Sequence, residues 1–196
     1  MIKSNFLKIF IPLFVFLTIQ PVYSFSKTPK VIHIYVCLAD MNYQGVLINE
    51  KYKRFANGEE PNINMWWGLS PFGLKANLIR YRTWKLIKTF KKINQNVLER
   101  IVLKHQYRNV FIVADAYRGI KNKKTVLDFL DAVYGLKKEK VSFFYKRKQI
   151  QLKAGSFSEL FIYLGHNSMI DHSSKYYIEK LIHKKNPLKR KPVMLF

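Results

Sequence analysis

The chain has 196 residues, 48% of them hydrophobic and 24% charged, a globular composition that excludes a disordered or collagen-like polymer. Thirty-five Lys and Arg stand against twelve Asp and Glu, a formal charge of +23 that implies attraction to anionic surfaces. One cysteine excludes an internal disulfide, and the five histidines are scattered without zinc-ligand spacing, so no metal and no other cofactor is expected.

Met1–Ser24 reads as a signal peptide. Lys3 and Lys8 form a basic start, Ile9–Ile19 is uncharged and apolar, Gln20-Pro21 breaks it, and cleavage is expected after Ser24. The apolar run is shorter than the roughly 20 residues a spanning helix needs. The alternative is an uncleaved amino-terminal anchor. The expectation is an exported protein, periplasmic or secreted, with one α/β domain over residues 25–196 and no transmembrane segment after cleavage. The leader's two lysines leave +21 on the remainder.

Val31–Ala39 reads as a strand, apolar almost throughout, as for a central strand covered on both faces. Cys37 lies inside this run, where a thiol behaves as a small buried hydrophobe. Asp40 to Gly45 is a polar turn at the strand's carboxyl end. An irregular connection over 46–66 carries the turn signal Asn57-Gly58-Glu59-Glu60-Pro61. Helices are expected at Gly73–Ile79 and Trp84–Phe90, a second buried strand at Asn109–Ala114, and a loop at Asp115–Gly119. Thr125–Tyr134 places Val126, Phe129, Leu130, Val133 and Tyr134 on one helical stripe, with Thr125 and Asp128 as a capping pair and Gly135 as the stop. Val141–Tyr145 and Gln149–Leu152 read as a small hairpin or edge pair, rimmed by Lys146-Arg147-Lys148. Glu159–Leu164 is a third core strand ending in Gly165-His166-Asn167. A helix over Ser174–His183 and a short strand at Pro192–Phe196 close the chain.

Strands alternating with helices predict a three-layer α/β fold, a mainly parallel sheet with helices on both faces. Binding groups of such sheets gather outside the carboxyl ends of the strands. Three polar clusters fall there: Asp40, Asn42 and Gln44; Asp115, Tyr117 and Arg118; His166, Asn167 and Asp171. His166 follows a strand-ending glycine and reads either as a general base or as a histidine bonding backbone at a strand end. Asp40 and Asp171 read as paired carboxylates or as turn formers. Tyr117 and Arg118 would clamp an anion. Trp66, Trp67 and Trp84, with Arg80 and Arg82 nearby, would stack on a ligand or pack in the core. Lysine runs at Lys88–Lys92, Lys121–Lys124, Lys137–Lys140, Lys146–Lys148 and Lys184–Lys191 are spread along the chain, as on a solvated surface, and no nucleic-acid-reading module stands out.

Five short motifs occur in order: Asp40-Met-Asn-Tyr-Gln-Gly-Val46, Asn57-Gly58-Glu59-Glu60-Pro61, Trp67-Gly68 through Phe72, Ala116-Tyr-Arg-Gly119, and Gly165-His-Asn-Ser-Met-Ile-Asp171. On these the chain resembles an uncharacterised group of exported bacterial proteins. Through LFIYLGHN it more distantly resembles the caspase–gingipain superfamily of cysteine peptidases. The resemblance runs from about Val31 to Asp171. It implies a caspase-like fold, with His166 as base and Asp40 and Asn167 lining the pocket. Met41 stands where the group has Asn, Ser168 where it has Gly, and Gly73 comes one residue late. In the superfamily the next core strand leads to an Ala-Cys pair whose thiolate is the nucleophile. Val193–Phe196 resembles that strand, no cysteine follows it, and Cys37 lies in a different strand, so the expectation is an inactive or truncated relative.

Two other functions stay open. One is a non-catalytic basic protein of the cell envelope, binding anionic glycans or lipids. The other is a hydrolase of another class, built on Asp40, Asp115 and His166.

Overall fold

A computed structural model of the chain describes residues 28–44, 49–166 and 193–195. The expected signal peptide, Gly45, Asn167, Asp171, the Lys184–Lys191 run and the helix expected over Ser174–His183 lie outside the described residues.

The elements in chain order are β1 (Lys30–Cys37), a 3-10 helix (Glu50–Ala56), α1 (Leu74–Arg80), β2 (Trp84–Lys91), β3 (Val97–His105), β4 (Val110–Tyr117), α2 (Asn122–Val133), β5 (Lys138–Tyr145), β6 (Lys148–Gly155), β7 (Leu160–Leu164) and β8 (Val193–Leu195). One sheet runs β2-β3-β4-β1-β7-β8, and β5 pairs with β6 in a separate hairpin. The strands β4, β1, β7 and β8 are mutually parallel, whereas β2 and β3 run antiparallel to each other and β3 to β4. The fold is therefore α/β, and its sheet is mixed.

Side-chain alternation assigns the two faces. Val31, Tyr35, Phe111, Val113 and Tyr117 lie under α2 and the β5–β6 hairpin. Ile34, Val36, Ile112, Ala114 and Ala116 pack with Trp67 and with Leu74 and Leu78 of α1. Covered on both faces, β1 and β4 must be apolar at nearly every position, which is why their runs were legible.

Two expectations are corrected in the antiparallel half. Trp84–Phe90 is a strand, β2, and not a helix: a bulge between Leu86 and Lys88 shifts its alternation, so its apolar positions mimic helical spacing. Asp115, Ala116 and Tyr117 lie inside β4 and not in a loop, because β4 pairs with β1 to Tyr117 and with β3 to Val97. The strand β3 was not anticipated. Glu99 and Arg100 interrupt its apolar run, and each is accepted into the sheet only through partners from other elements.

In α2 the stripe Val126, Phe129, Leu130 and Val133 packs on Tyr35, Tyr117 and Tyr163. Burying a side chain such as Phe129 contributes roughly 1.5–3 kcal/mol. The helix starts at Asn122, so Thr125 is not its cap: the Thr125 hydroxyl donates instead to the Lys121 carbonyl at 3.0 Å. Gly135, at φ 82°, closes it.

The hairpin presses Val141, Phe143, Leu152 and Ala154 onto Val31, Phe111 and Val113. Tyr145 pairs with Lys148, leaving a two-residue turn of Lys146 and Arg147 at φ 48° and 62°. Such turns normally hold Asn-Gly. A Cβ in this left-handed region costs roughly 1–2 kcal/mol per residue.

No helix among the described residues is long and apolar enough to cross a membrane.

Candidate functional site

At the carboxyl ends of β1, β4 and β7 the structure builds a dense polar rim. The chain leaves β1 through Leu38, Ala39 and Asp40. Asn64, fully buried, clamps this exit: its Oδ1 accepts from the Ala39 and Trp66 amides at 3.1 Å, and its Nδ2 donates to the Ala39 and Asn57 carbonyls at 2.8 and 3.0 Å. Every hydrogen-bonding position of that amide is used, so Asn64 is structural.

Asp40 is buried, its Oδ1 accepting from the Asn42 amide at 3.0 Å while its own amide donates to Gln44 Oε1 at 3.2 Å. Gln44 Nε2 lies 2.8 Å from the Leu38 carbonyl, 3.0 Å from the Gly119 carbonyl and 3.2 Å from Cys37 Sγ. Gly58 and Gly119 close over the carboxylate. A Cβ on Gly58 would lie 2.3 Å from Asp40 Oδ2, and one on Gly119 2.3 Å from Asp40 Cβ. The motifs beginning at Asp40, Asn57 and Ala116 thus meet at one point. The Trp67 motif serves the opposite face: Trp67 is fully buried, and a Cβ on Gly68 or Gly73 would lie 2.3 Å from a backbone oxygen.

Beside this knot lies a cleft of about 370 Å³, lined by Asp40, Asn42, Tyr43, Arg54, Asn57 and Glu59 among others. It combines two acids, Asp40 and Glu59, with two cations, Lys53 and Arg54.

Gly165 and His166 leave β7 toward the same rim. The Tyr163 hydroxyl lies 2.8 Å from both the His166 carbonyl and Asn122 Oδ1, and a Cβ on Gly165 would lie 3.0 Å from Cys37 Cβ. Cys37 is fully buried. Burial, with the Asp40 charge, pushes its thiol up to about 12, against the opposing polar contacts of Thr125 and Gln44. A thiol so protonated is a poor nucleophile at neutral pH.

The second expected cluster is locked in place. Asp115 is fully buried on the α2 face and not at the rim. Arg100 grips it through two bonds of 2.5 and 2.6 Å and reaches Glu139 of β5 at 2.7 Å, while His33 Nε2 lies 3.2 Å from Asp115. Burial alone would raise the Asp115 carboxyl; the Arg100 charge and hydrogen bonds, with His33, outweigh it and hold it well below the carboxylate range. His33 Nδ1 accepts from the Gly155 amide at 2.9 Å, which places the ring hydrogen on Nε2, toward Asp115. His33, Asp115 and Glu139 offer donors within 4.8 Å of one another, but the Arg100 guanidinium binds both carboxylates and fills a cation's place. Tyr117 is buried with its hydroxyl donating to Asp128 at 2.9 Å. Arg118 pairs with Glu59 and donates to the Gln95 carbonyl at 2.9 Å. Neither is placed to clamp an anion.

Glu99, on the α1 face, is also fully buried, bonded to Lys75 at 2.5 Å, to Lys91, and to Trp67 Nε1 at 3.3 Å. Burial works against its charge, and the two lysines prevail and lower it. Trp66 and Trp84 pack against the same core as Trp67, and Arg80 and Arg82 are exposed.

At the opposite end of the sheet lies a second concavity, of about 360 Å³, that sequence inspection missed. Lys85, Lys104, His105, Tyr107, Tyr145 and Lys146 line it, with no acid among them. Lys85 faces Lys104 directly across β2 and β3, and Lys140 faces Lys153 across β5 and β6. Like charges directly opposite destabilise a ladder. His105 Nδ1 accepts from the Tyr107 and Arg108 amides at 3.1 and 3.2 Å. Partial burial, then the Arg108 and Lys104 charges, lower this imidazole below its ordinary value. The signal was present as lysines alternating with apolar residues in Trp84–Phe90, but strand register sets Lys104 opposite Lys85 and the docking of the hairpin adds Lys146.

Comparisons with protein-family models, with curated proteins and with solved structures find no match for this chain.

Proposed function

We propose that this chain is a non-catalytic, exported binding protein whose basic face engages anionic surfaces of the cell envelope, carried on a three-layer scaffold of caspase-like arrangement. The observation that carries the reading is the disposition of charge. Buried Asp115, Glu99 and Asp128 each hold their own cations inside the fold, while lysines face lysines across two strand pairs at the surface. A lysine pair that costs folding energy is compensated when an anion occupies it.

A catalytic reading has less support. Cys37 is buried and protonated, and Asp115 is the counter-ion of Arg100, which removes it from a shared site with Asp40 and His166.

The test is sedimentation of the full chain with phosphatidylglycerol vesicles and with an anionic glycan, over a series of salt concentrations. Binding to at least one, weakening as salt rises, is expected. Retention by neither at low salt overturns the proposal. So does amide hydrolysis by the purified chain that is abolished in His166→Ala. Alkylation of Cys37 should be slow in the native protein and fast in denaturant; rapid native alkylation would restore the thiol as a candidate nucleophile.

A further inference from the structure

We infer that the notch formed by Lys85, Lys104 and Lys146, with His105, Tyr107 and Tyr145, is a phosphate-binding site for a phospholipid headgroup, and that the β5–β6 hairpin beside it is the part of the molecule that meets the bilayer. The inference rests on the preceding proposal and assigns it a place and a ligand.

Three independent elements deliver the cations. Lys85 comes from β2, Lys104 from β3 and Lys146 from the hairpin turn. Three ammonium groups around a concavity without a carboxylate suit a compact, multiply hydrogen-bonding anion, and phosphate oxygens supply more acceptor positions than one carboxylate does. The aromatic walls fit the same purpose. Lys146 Nζ lies 5.8 Å over the Tyr145 ring, and Lys104 Nζ lies 5.9 Å over the Phe111 ring. These ring contacts use no N–H donor; Lys104 spends one of its three on the His105 carbonyl at 3.2 Å and keeps two. Tyr107, 74% exposed, offers a hydroxyl at the lip.

The hairpin explains why the source should be a membrane and not a free anion. Lys138, Lys140, Ser142 and Phe144 on β5 alternate outward, opposite Gln149, Gln151 and Lys153 on β6, with no acid on that face. Phe144 is 72% exposed. Lys138 and Lys153 both sit over the Phe157 ring, at 5.8 and 5.9 Å. An isolated exposed phenylalanine set among lysines suits the headgroup boundary, where an apolar ring enters and cations stay with the phosphates. The turn keeps Lys146 and Arg147 in a left-handed conformation that Asn-Gly would adopt without strain. A tip holding two cations at that cost is expected where the cations are used.

Glycans bearing only carboxylates would satisfy the charge but not the exposed ring. The experiment therefore compares vesicles of phosphatidylglycerol in phosphatidylcholine with phosphatidylcholine alone, with inorganic phosphate, and with a carboxylate glycan. The full chain is compared with K85Q/K104Q/K146Q and with a control removing the same charge elsewhere, K51Q/K92Q/K123Q, each checked for folding by circular dichroism. At roughly tenfold or somewhat less per lysine, the notch variant should lose about a hundredfold in affinity for the anionic vesicles, with a much smaller loss in the control. Phe144→Ser should weaken vesicle binding and leave inorganic phosphate binding unchanged. In the intact protein, phosphate should raise the pH at which the His105 ring resonance titrates.

Equal losses in the notch and control variants would overturn the site while leaving general electrostatic adsorption, and with it the preceding proposal, intact. Preference for the carboxylate glycan, or phosphate binding without vesicle binding, would overturn the lipid assignment. Failure to bind any of these anions would overturn both.

Discussion

The two ends of the sheet use polar residues in opposite ways. At the carboxyl rim Asp40, Gln44 and Asn64 are bonded to backbone, and Gly58 and Gly119 close over the Asp40 carboxylate. At the amino end Lys85 and Lys104 oppose each other, and no acid lines the notch. Polar groups that satisfy one another stabilise a fold and have little left for a ligand. Cations assembled without counter-ions weaken the fold until something external pairs with them. The end of an α/β sheet where binding sites usually gather is here the tightly built one, and the end usually left to architecture carries the unbalanced charge.

The largest effect that sharpens this contrast should come from the buried acid under α2. Arg100→Met leaves Asp115 without its main partner and should destabilise by about 3–5 kcal/mol in urea unfolding. A loss below about 1 kcal/mol would mean the network is not a structural clamp. The same acids govern the response to pH. Asp115, Glu99 and Asp128 are all held below their ordinary values, in each case against burial and through paired cations. Their contribution is full above the unfolded carboxylate range near pH 4 and is lost as pH falls through the lower folded values. Urea midpoints should therefore be steady from neutrality to about pH 5 and fall below about pH 4. Arg100→Met should flatten that acid limb.

At the rim, Gly119→Ala brings a Cβ to 2.3 Å from Asp40 Cβ and 2.9 Å from Gly58 Cα. Overpacking against backbone should cost about 1–3 kcal/mol, measured by the same unfolding curves. An unchanged midpoint would show that the knot around Asp40 yields easily. The smallest effect has the opposite sign. Lys153→Glu faces Lys140 across the hairpin and should stabilise by about 0.2–1 kcal/mol, seen as a raised Tm, while weakening adsorption to anionic vesicles. A gain in stability with no loss of binding would separate this lysine pair from function.

How much was legible varies by region. The runs of β1, β4 and β7 announced themselves, since a strand covered on both faces tolerates few polar residues. The stripe of α2 and the hairpin were equally clear, the latter with Lys146-Arg147 at its turn. The failures share one cause. Glu99, Arg100 and Asp115 look like surface residues in a linear chain, and they are taken into the fold because they pair with Lys75, Lys91, His33, Glu139 and each other across elements. Glu99 and Arg100 interrupt the apolar run of β3 and so hid it, and without β3 the strand character of Trp84–Phe90 had no partner to reveal it. The site expectations divided similarly: Asp40 and Gln44 do meet Gly119 of the Ala116–Gly119 motif, whereas Asp115, Tyr117 and Arg118 are held by internal partners.

By itself the sequence determined which segments are apolar on one side or both, where turns fall, and how large the excess of positive charge is. Those properties depend on side-chain chemistry and local periodicity, which neighbours along the chain suffice to define. Tertiary structure alone decided which acids are buried with partners and which lysines confront each other. Those depend on strand register between segments far apart in the chain, and a register shift of one residue turns every side chain to the other face.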